Sequence, residues 1–306
     1  MARESDCFFT QYILALFLLV RDQVALPLSY SNQAPKHCTH KSQRYILMSM
    51  YEQELHTAQR IAREAGGIMR RYFDSDQQRQ TKADGTPVTI ADTTINSLVI
   101  QRLHETFPDD GVIGEEESTT GYGFGRKWLC DPVDGTKAFT WGVPTAMFSL
   151  ALVIDGVPTV GVGYEPMTDR LYWAVRGHGA FCNGTRLQVN HQTLTEGVFA
   201  ASCSYANIRR HEYYDKLIER KVSTASISGA VAKSVRVAEG RFVGYYAEKV
   251  NAYDMAAVHV IVEEAGGKMT SVSGQPLNYA QPFCGALVSN SIVHDELMAI
   301  VRSECS

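Results

Sequence analysis

The stretch Lys127-Trp128-Leu129-Cys130-Asp131-Pro132-Val133-Asp134-Gly135-Thr136 reads as a buried strand that ends on two carboxylates. Trp128, Leu129 and Cys130 form the short apolar run of a strand that delivers Asp131 at its end. Pro132 holds Asp131 in extended backbone, and Gly135 permits a turn that other residues resist, so the chain brings Asp134 back near Asp131. No Arg or Lys within these residues beyond Lys127 balances the pair, and oxygen ligands with the Val133 carbonyl beside them suit magnesium or manganese rather than zinc. A plain polar turn is the competing reading, because Asp-Pro and Asp-Gly are common turn dipeptides. Thr136 opens a short helical turn whose amides, with that of Gly135, are placed to face an anion.

Two further acidic groups bear on that choice. Gly114-Glu115-Glu116-Glu117 follows the strand-like Val112-Ile113, and three adjacent carboxylates are unfavourable unless solvated or metal-bound. Asp254 and Asp92 each fall in the first turn of a helix, where capping and the helix dipole already account for an acid, with Asn251 as the cap before Asp254. None of the nine histidines lies in these segments, which disfavours a zinc or iron hydrolase.

Outward from this centre, two helices at 51–73 and 90–105 come first, the second with Ile95, Leu98, Val99 and Leu103 on one face. Strands are expected at 111–114, 128–130, 148–154, 160–164 and 171–175, mostly antiparallel, with turns at Asp155-Gly156, Met167-Thr168-Asp169 and Gly177-His178-Gly179. From 198 onward strand and helix alternate, at 198–203, 211–221, 223–227, 229–239, 241–246, 252–265, 284–288 and 291–302, the pattern of a layered α/β unit. The expected division is an N-terminal α+β lobe at 50–195 carrying the acidic motifs and a C-terminal α/β lobe at 196–306 completing the site. Residues 1–49 read as a leader outside the fold. Its apolar run Phe8–Val20 is short for a bilayer and lacks both a clean positive flank and a small-residue cleavage site, so it supports a signal or anchor only weakly.

A net charge of −4 without any Lys/Arg run excludes the basic field that tracks a nucleic-acid backbone. The seven cysteines, scattered without a CxxC pair, read as reduced, buried thiols of a cytoplasmic protein. Asn183-Gly184-Thr185 reads as a hairpin turn before it reads as a glycan acceptor.

Gly114-Glu115-Glu116, Trp128 to Thr136, Tyr253-Asp254-Met255-Ala256-Ala257 and Glu264-Ala265-Gly266-Gly267 stand in an order that is specific in combination. With Lys82 to Asp92 and Arg176 to Gly184, this pattern resembles the inositol monophosphatase family of lithium-sensitive, magnesium-dependent phosphatases, from about Met50 to Val301. The resemblance implies a layered α-β-α-β-α sandwich and hydrolysis of a small phosphorylated metabolite. It implies two or three magnesium ions per site, manganese substituting, on Glu115, Asp131, the Val133 carbonyl, Asp134 and Asp254, with Glu116 near a weaker position. It makes Asp92, Thr136 and Glu115 the groups that orient and deprotonate water. It brings Glu115, Val133, Asp134, Gly135, Thr136, Gly229, Ala230 and Asp254 to the substrate, and implies a homodimer without membrane contact. Inositol monophosphate is the first substrate expected, with histidinol phosphate, a 3′(2′),5′-bisphosphate nucleotide or a binding-only role as alternatives. The chain departs from the family pattern at Ala247, where inositol and histidinol enzymes carry an acid, and at Tyr253, where inositol enzymes usually have Trp. Lys137 is closer to the histidinol and nucleotide branches, and Lys233 is either a solvated face residue or a selectivity residue.

Overall fold

The computed structural model describes residues 50–301 except 74, 76–78, 84, 86 and 202–211; the leader and its apolar run lie outside the described residues. Helix α1 (Glu52–Tyr72) buries Leu55, Ala58, Ile61, Ala62, Ala65 and Met69 along one stripe, the spacing that lets a helix lie flat on a sheet. A short hairpin, β1 (Gln80–Thr81) with β2 (Pro87–Val88), leads into α2 (Ile90–Thr106). Both helices pack on one face of a seven-stranded sheet through a shared core that includes Trp128, Cys130, Phe148, Leu150 and Val162. Of the four α2 positions expected on the buried face, Ile95, Val99 and Leu103 are buried, while Leu98 is partly exposed.

That sheet runs in chain order through β3 (Gly111–Gly114), β4 (Arg126–Asp134), β5 (Met147–Ile154), β6 (Val157–Glu165), β7 (Arg170–Val175), β8 (Ala180–Cys182) and β9 (Thr185–Arg186). Only the β3–β4 pair is parallel; the rest form a meander. Its hairpins close on residues with positive φ, among them Asp155, Asp169 and Asn183 followed by Gly184, which matches the twist of the strands they join. Asn183-Gly184 is thus a hairpin turn, as its sequence suggests. The strands β8 and β9 were not foreseen because three and two residues are too few to show a period of two.

The second sheet has the order β11 (Ser223–Ala225), β10 (Val198–Ala201), β12 (Gly244–Ala247), β14 (Ala286–Ser289) and β13 (Lys268–Ser271), parallel across its first three strands. Strand β13 also escaped the sequence reading, three of the four residues in its Lys-Met-Thr-Ser being polar. Helices α5 (Ala230–Ala238) and α6 (Ala252–Glu264) lie between the sheets and share a core with Leu129, Met147, Ala151 and Val288. Because both sides of α6 are covered, nine of its residues from Ala252 to Val262 are buried and it lacks an amphipathic stripe. Helices α4 (Glu212–Glu219) and α7 (His294–Val301) pack with the outer face of the second sheet around Tyr246, Leu287 and Leu297. The result is the expected layered sandwich.

Cys130 and Cys182 are buried free thiols, but Cys284 is exposed, a correction to the expectation that all the thiols are buried. The remaining four cysteines lie outside the described residues. No helix among the described residues is long and apolar enough to cross a membrane.

Candidate active site

Strand β4 does not stop at Cys130. It continues through Asp131 to Asp134, with a break in register against β5 between those two residues. This is a bulge of the kind that re-aims side chains. The Val133 N–H donates to Asp131 Oδ1 at 3.0 Å, which pins the loop around Pro132. Gly135 then adopts the left-handed conformation at φ 82° and starts the five-residue helix α3 (Thr136–Thr140), a position where other residues are strained.

Asp134 reaches across the fold to the start of α5. Ala230 N–H donates to its Oδ1 at 2.7 Å, and Val231 and Ala232 N–H donate to its Oδ2 at 2.9 and 3.3 Å. One carboxylate thus caps a helix 96 residues away, satisfying three of the amides that every helix leaves unpaired at its start. Gly229, at φ 95°, makes this approach possible, since a side chain there would collide with Asp134 Oδ2. Gly229 and Ala230, expected to line the substrate pocket, therefore also hold Asp134.

The two helix-start acids cap their helices and also meet residues of the acidic cluster. Asp92 Oδ2 accepts from the Thr89 N–H at 2.8 Å and from Thr89 Oγ1 at 2.6 Å, forming a capping box, while its Oδ1 faces Thr136 Oγ1 at 3.2 Å. Thr136 Oγ1 also lies 2.9 Å from the Val133 carbonyl, so its single proton has two acceptors. Asp254 Oδ2 accepts from the Asn251 N–H at 2.7 Å and so caps α6. Its other oxygen is left for the cluster, where Asp131 is a side-chain hydrogen-bond partner.

Lys82, on the loop after β1, places Nζ 2.8 Å from Glu115 Oε1 and 2.5 Å from Glu116 Oε1. The sequence reading missed this contact. A lysine in a Lys-Ala-Asp-Gly turn carries no local sign that it will meet acids 33 and 34 residues on. Lys233 corrects a second expectation. It is 5% exposed rather than solvated, with Nζ 4.9 Å from the Tyr245 ring centroid, and its charge favours the ionised form of Asp134. Lys137 stays exposed, 5.3 Å over the Trp141 ring. Ala247 is buried within the core.

Burial raises the carboxyls of Asp92, Asp131, Asp134 and Asp254, and for Asp92, Asp131 and Asp254 the repulsion of neighbouring carboxylates adds to the rise. Asp131 is pushed well above the ordinary range by burial, then by Glu115, Asp134, Asp254 and Asp92. Asp254 is raised to about 7 by burial, against the Asn251 amide, with Asp134 and Glu115 adding to the rise. Asp134 is raised to about 6 by burial despite the α5 amides and Lys233, and Asp92 to about 6 by burial despite Thr89. Among the described residues no three carboxyl, imidazole or thiol groups already surround one point at ligating distance. The donor set nonetheless fits a hard divalent cation, being all oxygen, buried at Asp131 and Asp134 and mutually repelling at Asp131. In this structure Asp134 is held by the α5 amides and Glu115 by Lys82.

Clustered carboxyl oxygens lie beside a threonine–carboxylate pair where a bulged strand meets helix starts, and the relatives of this chain are named phosphatases, which makes it a phosphoric monoester hydrolase. The chain belongs to the inositol monophosphatase family, whose sequence model matches residues 50–306. It is 36% identical over 258 residues to a histidinol-phosphatase of Mycobacterium tuberculosis, covering 81% of this chain and 98% of that protein. To human inositol monophosphatase 2 it is 30% identical over 252 residues, covering 78% and 87% of the two chains. The solved structure of the Thermotoga maritima IMPase superimposes with a TM-score of 0.76 at 27% identity, over 82% of this chain and 97% of that one. The family is generally metal-dependent.

Proposed function

We propose that this chain is a magnesium-dependent phosphatase for a small phosphorylated alcohol, first of all an inositol monophosphate. The observation that carries the reading is the clustering of Asp131, Asp134, Asp254 and Glu115, where burial and then the repulsion of neighbouring acids raise Asp131 and Asp254. Glu115, Asp131, Asp134, Asp254 and the Val133 carbonyl would hold magnesium, with Glu116 at a weaker position and manganese as a substitute. Bound there, the ion would supply an acidified water and a Lewis acid for the phosphate oxygens.

The chain's own residues do the remaining work. Thr136 Oγ1 donates its proton to Asp92 Oδ1 or to the Val133 carbonyl, and its lone pairs orient the attacking water. Asp92 is fixed by two hydrogen bonds from Thr89 and stands as the proton acceptor behind Thr136, with Glu115 as the other acidic group in reach of the water. The Gly135 and Thr136 amides bind the phosphate, and Gly229 and Ala230 line the pocket beside Asp134. Catalysis is mainly positioning and charge stabilisation, and no covalent phosphoenzyme is required. The active unit is a homodimer in the cytoplasm.

A second reading, histidinol phosphate as the substrate, is favoured by the 36% identity to a histidinol-phosphatase. Phosphate release by the purified full chain with MgCl2 tests both. Inositol 1-phosphate, histidinol phosphate and 3′-phosphoadenosine 5′-phosphate are compared at equal concentration. The fastest substrate names the branch. Turnover that survives chelation, or a folded protein inert on all three, rejects the metal-phosphatase reading.

A further inference from the structure

Ser149 lies in the middle of β5 and is wholly buried, and its hydroxyl has no hydrogen-bond partner among the described residues. A buried unpaired hydroxyl disfavours the fold, and alanine in the same place would not carry that penalty. Something other than the stability of the metal-free chain therefore explains it.

Its position in the sheet supplies the explanation. Ser149 is the register partner of Asp131 on β4 and of Gly163 on β6. Directly opposed residues of antiparallel strands point to the same face, with Cβ atoms about 5 Å apart. Leu129, Met147 and Ala151, which alternate with Asp131 and Ser149 along their strands, belong to the core shared with α5 and α6, while Trp128, Cys130, Phe148 and Leu150 belong to the core shared with α1 and α2. Asp131 and Ser149 therefore both face the helices that present the Asp134-binding amides and Asp254. Gly163, on the other side of Ser149, has no side chain to crowd it. Even a Cβ there would come no closer than 3.6 Å to any neighbour. Gly163 thus leaves Ser149 uncrowded on that side, and its other register neighbour is Asp131, whose Oδ1 is already held by the Val133 N–H.

We propose that Ser149 is a positioning residue: in the metal-loaded enzyme its hydroxyl donates to the Asp131 carboxylate and holds it in the ligating orientation. This inference rests on the metal reading above. Outer partners that orient a ligand carry about 10- to 100-fold of metal affinity, and Ser149 is the side chain that β5 contributes to that task.

The test uses the full chain as wild type, Ser149→Ala and Ser149→Thr, melted without metal and then across a series of MgCl2 concentrations. The concentration at which the melting temperature rises reports metal affinity. Ser149→Ala is expected to melt at or above the wild-type temperature without metal and to need about 10-fold more MgCl2 for the same rise. Ser149→Thr keeps the hydroxyl and restores the wild-type requirement. If the threonine methyl prevents folding, Ser149→Cys replaces it and falls between wild type and alanine. A wild-type MgCl2 requirement in Ser149→Ala overturns the inference, and so does a metal-free Ser149→Ala that melts well below wild type, which would mark an ordinary structural hydroxyl. A wild-type chain indifferent to MgCl2 would reject the metal reading itself, a result distinguishable from either of these.

Discussion

Two groups of buried charge lie on opposite sides of the seven-stranded sheet's centre, and they are neutralised in opposite ways. Toward β7 and β8, Glu239 accepts from Arg170, from Arg241 Nε at 2.9 Å and from the Tyr172 hydroxyl at 2.9 Å, while Arg236 spans Glu239, Tyr172 and Glu165. Every carboxylate there meets a guanidinium. At the end of β4, Asp131, Asp134 and Asp254 meet backbone amides and one another, and among the described residues the cations that meet this group are Lys82 on Glu115 and Glu116 and Lys233, whose charge favours the ionised form of Asp134. A fold that can build the first arrangement does not tolerate the second without a reason. Unbalanced buried acid is what a structural network avoids and what a cation site requires.

The largest expected effect tests that contrast at its centre. Asp131→Asn removes the most crowded carboxylate, and since even a ligand's supporting partners carry 10- to 100-fold, loss of the ligand should lower phosphatase activity by on the order of 10³-fold. The metal-free variant should melt at or above the wild-type temperature, because repulsion has been relieved. Calorimetry without metal, together with phosphate release, reads both quantities. A variant that retains activity, or that unfolds more readily without metal, removes the distinction between the two regions.

Glu239→Gln is the matching change on the balanced side. Removing one partner of a buried ion pair leaves its guanidinium partners uncompensated and costs about 3–5 kcal/mol. Denaturant unfolding should show that loss while kcat per folded molecule stays close to wild type. A large fall in kcat with unchanged stability would mean that the arginine network is part of the active site.

What the sequence could and could not disclose follows the same division. The acids of the cluster were legible because each sits at a local landmark: a strand end at Asp131, a Gly-Glu-Glu turn at Glu115, a capping position at Asp92 and at Asp254. Choosing between cap and active-site group was not possible from local pattern, and Asp92 turns out to use one oxygen for the cap and to turn the other to Thr136. The reach of Asp134 to α5, the closure of Lys82 onto Glu115 and the burial of Lys233 depend on how the layers stack, which no window of neighbouring residues encodes. Ser149 was invisible for another reason: one serine in the apolar run Met147–Ile154 reads as tolerated noise until the register sets it opposite Asp131.

Thr136 offers a finer probe, because its side chain touches the cluster without adding charge to it. Thr136→Ala removes the hydroxyl between Asp92 and the Val133 carbonyl, and positioned proton transfer of this kind is worth about 10²-fold or more. The expected outcome is a fall in kcat of about 10²-fold with the MgCl2 requirement unchanged. An altered MgCl2 requirement would place Thr136 among the groups that hold the metal.

The smallest effect concerns a buried group that resembles neither region, since it is neither paired with an opposite charge nor crowded by like charge. His294 is 1% exposed, with Nδ1 2.8 Å from Ser289 Oγ and Nε2 3.1 Å from Thr270 Oγ1, so it bridges β14 and β13 as a neutral ring. Burial, with the Lys268 charge behind it, lowers its pKa from the ordinary 6.5 to about 4. In the window between those values the unfolded chain binds the proton and the folded chain does not. The contribution is complete above pH 6.5 and lost as the pH falls toward 4, at most about 1.4 kcal/mol per pH unit. The acids at β4 shift with pH in the opposite sense and would mask this in the wild type alone. Subtracting the unfolding free energy of His294→Gln, which keeps those acids and removes the imidazole, isolates it. The gap between the two proteins should narrow steadily from pH 6.5 to 4. A constant gap would mean that the ring takes up its proton within the folded sheet, as a paired group does, and His294 would then belong with the arginine network rather than apart from it.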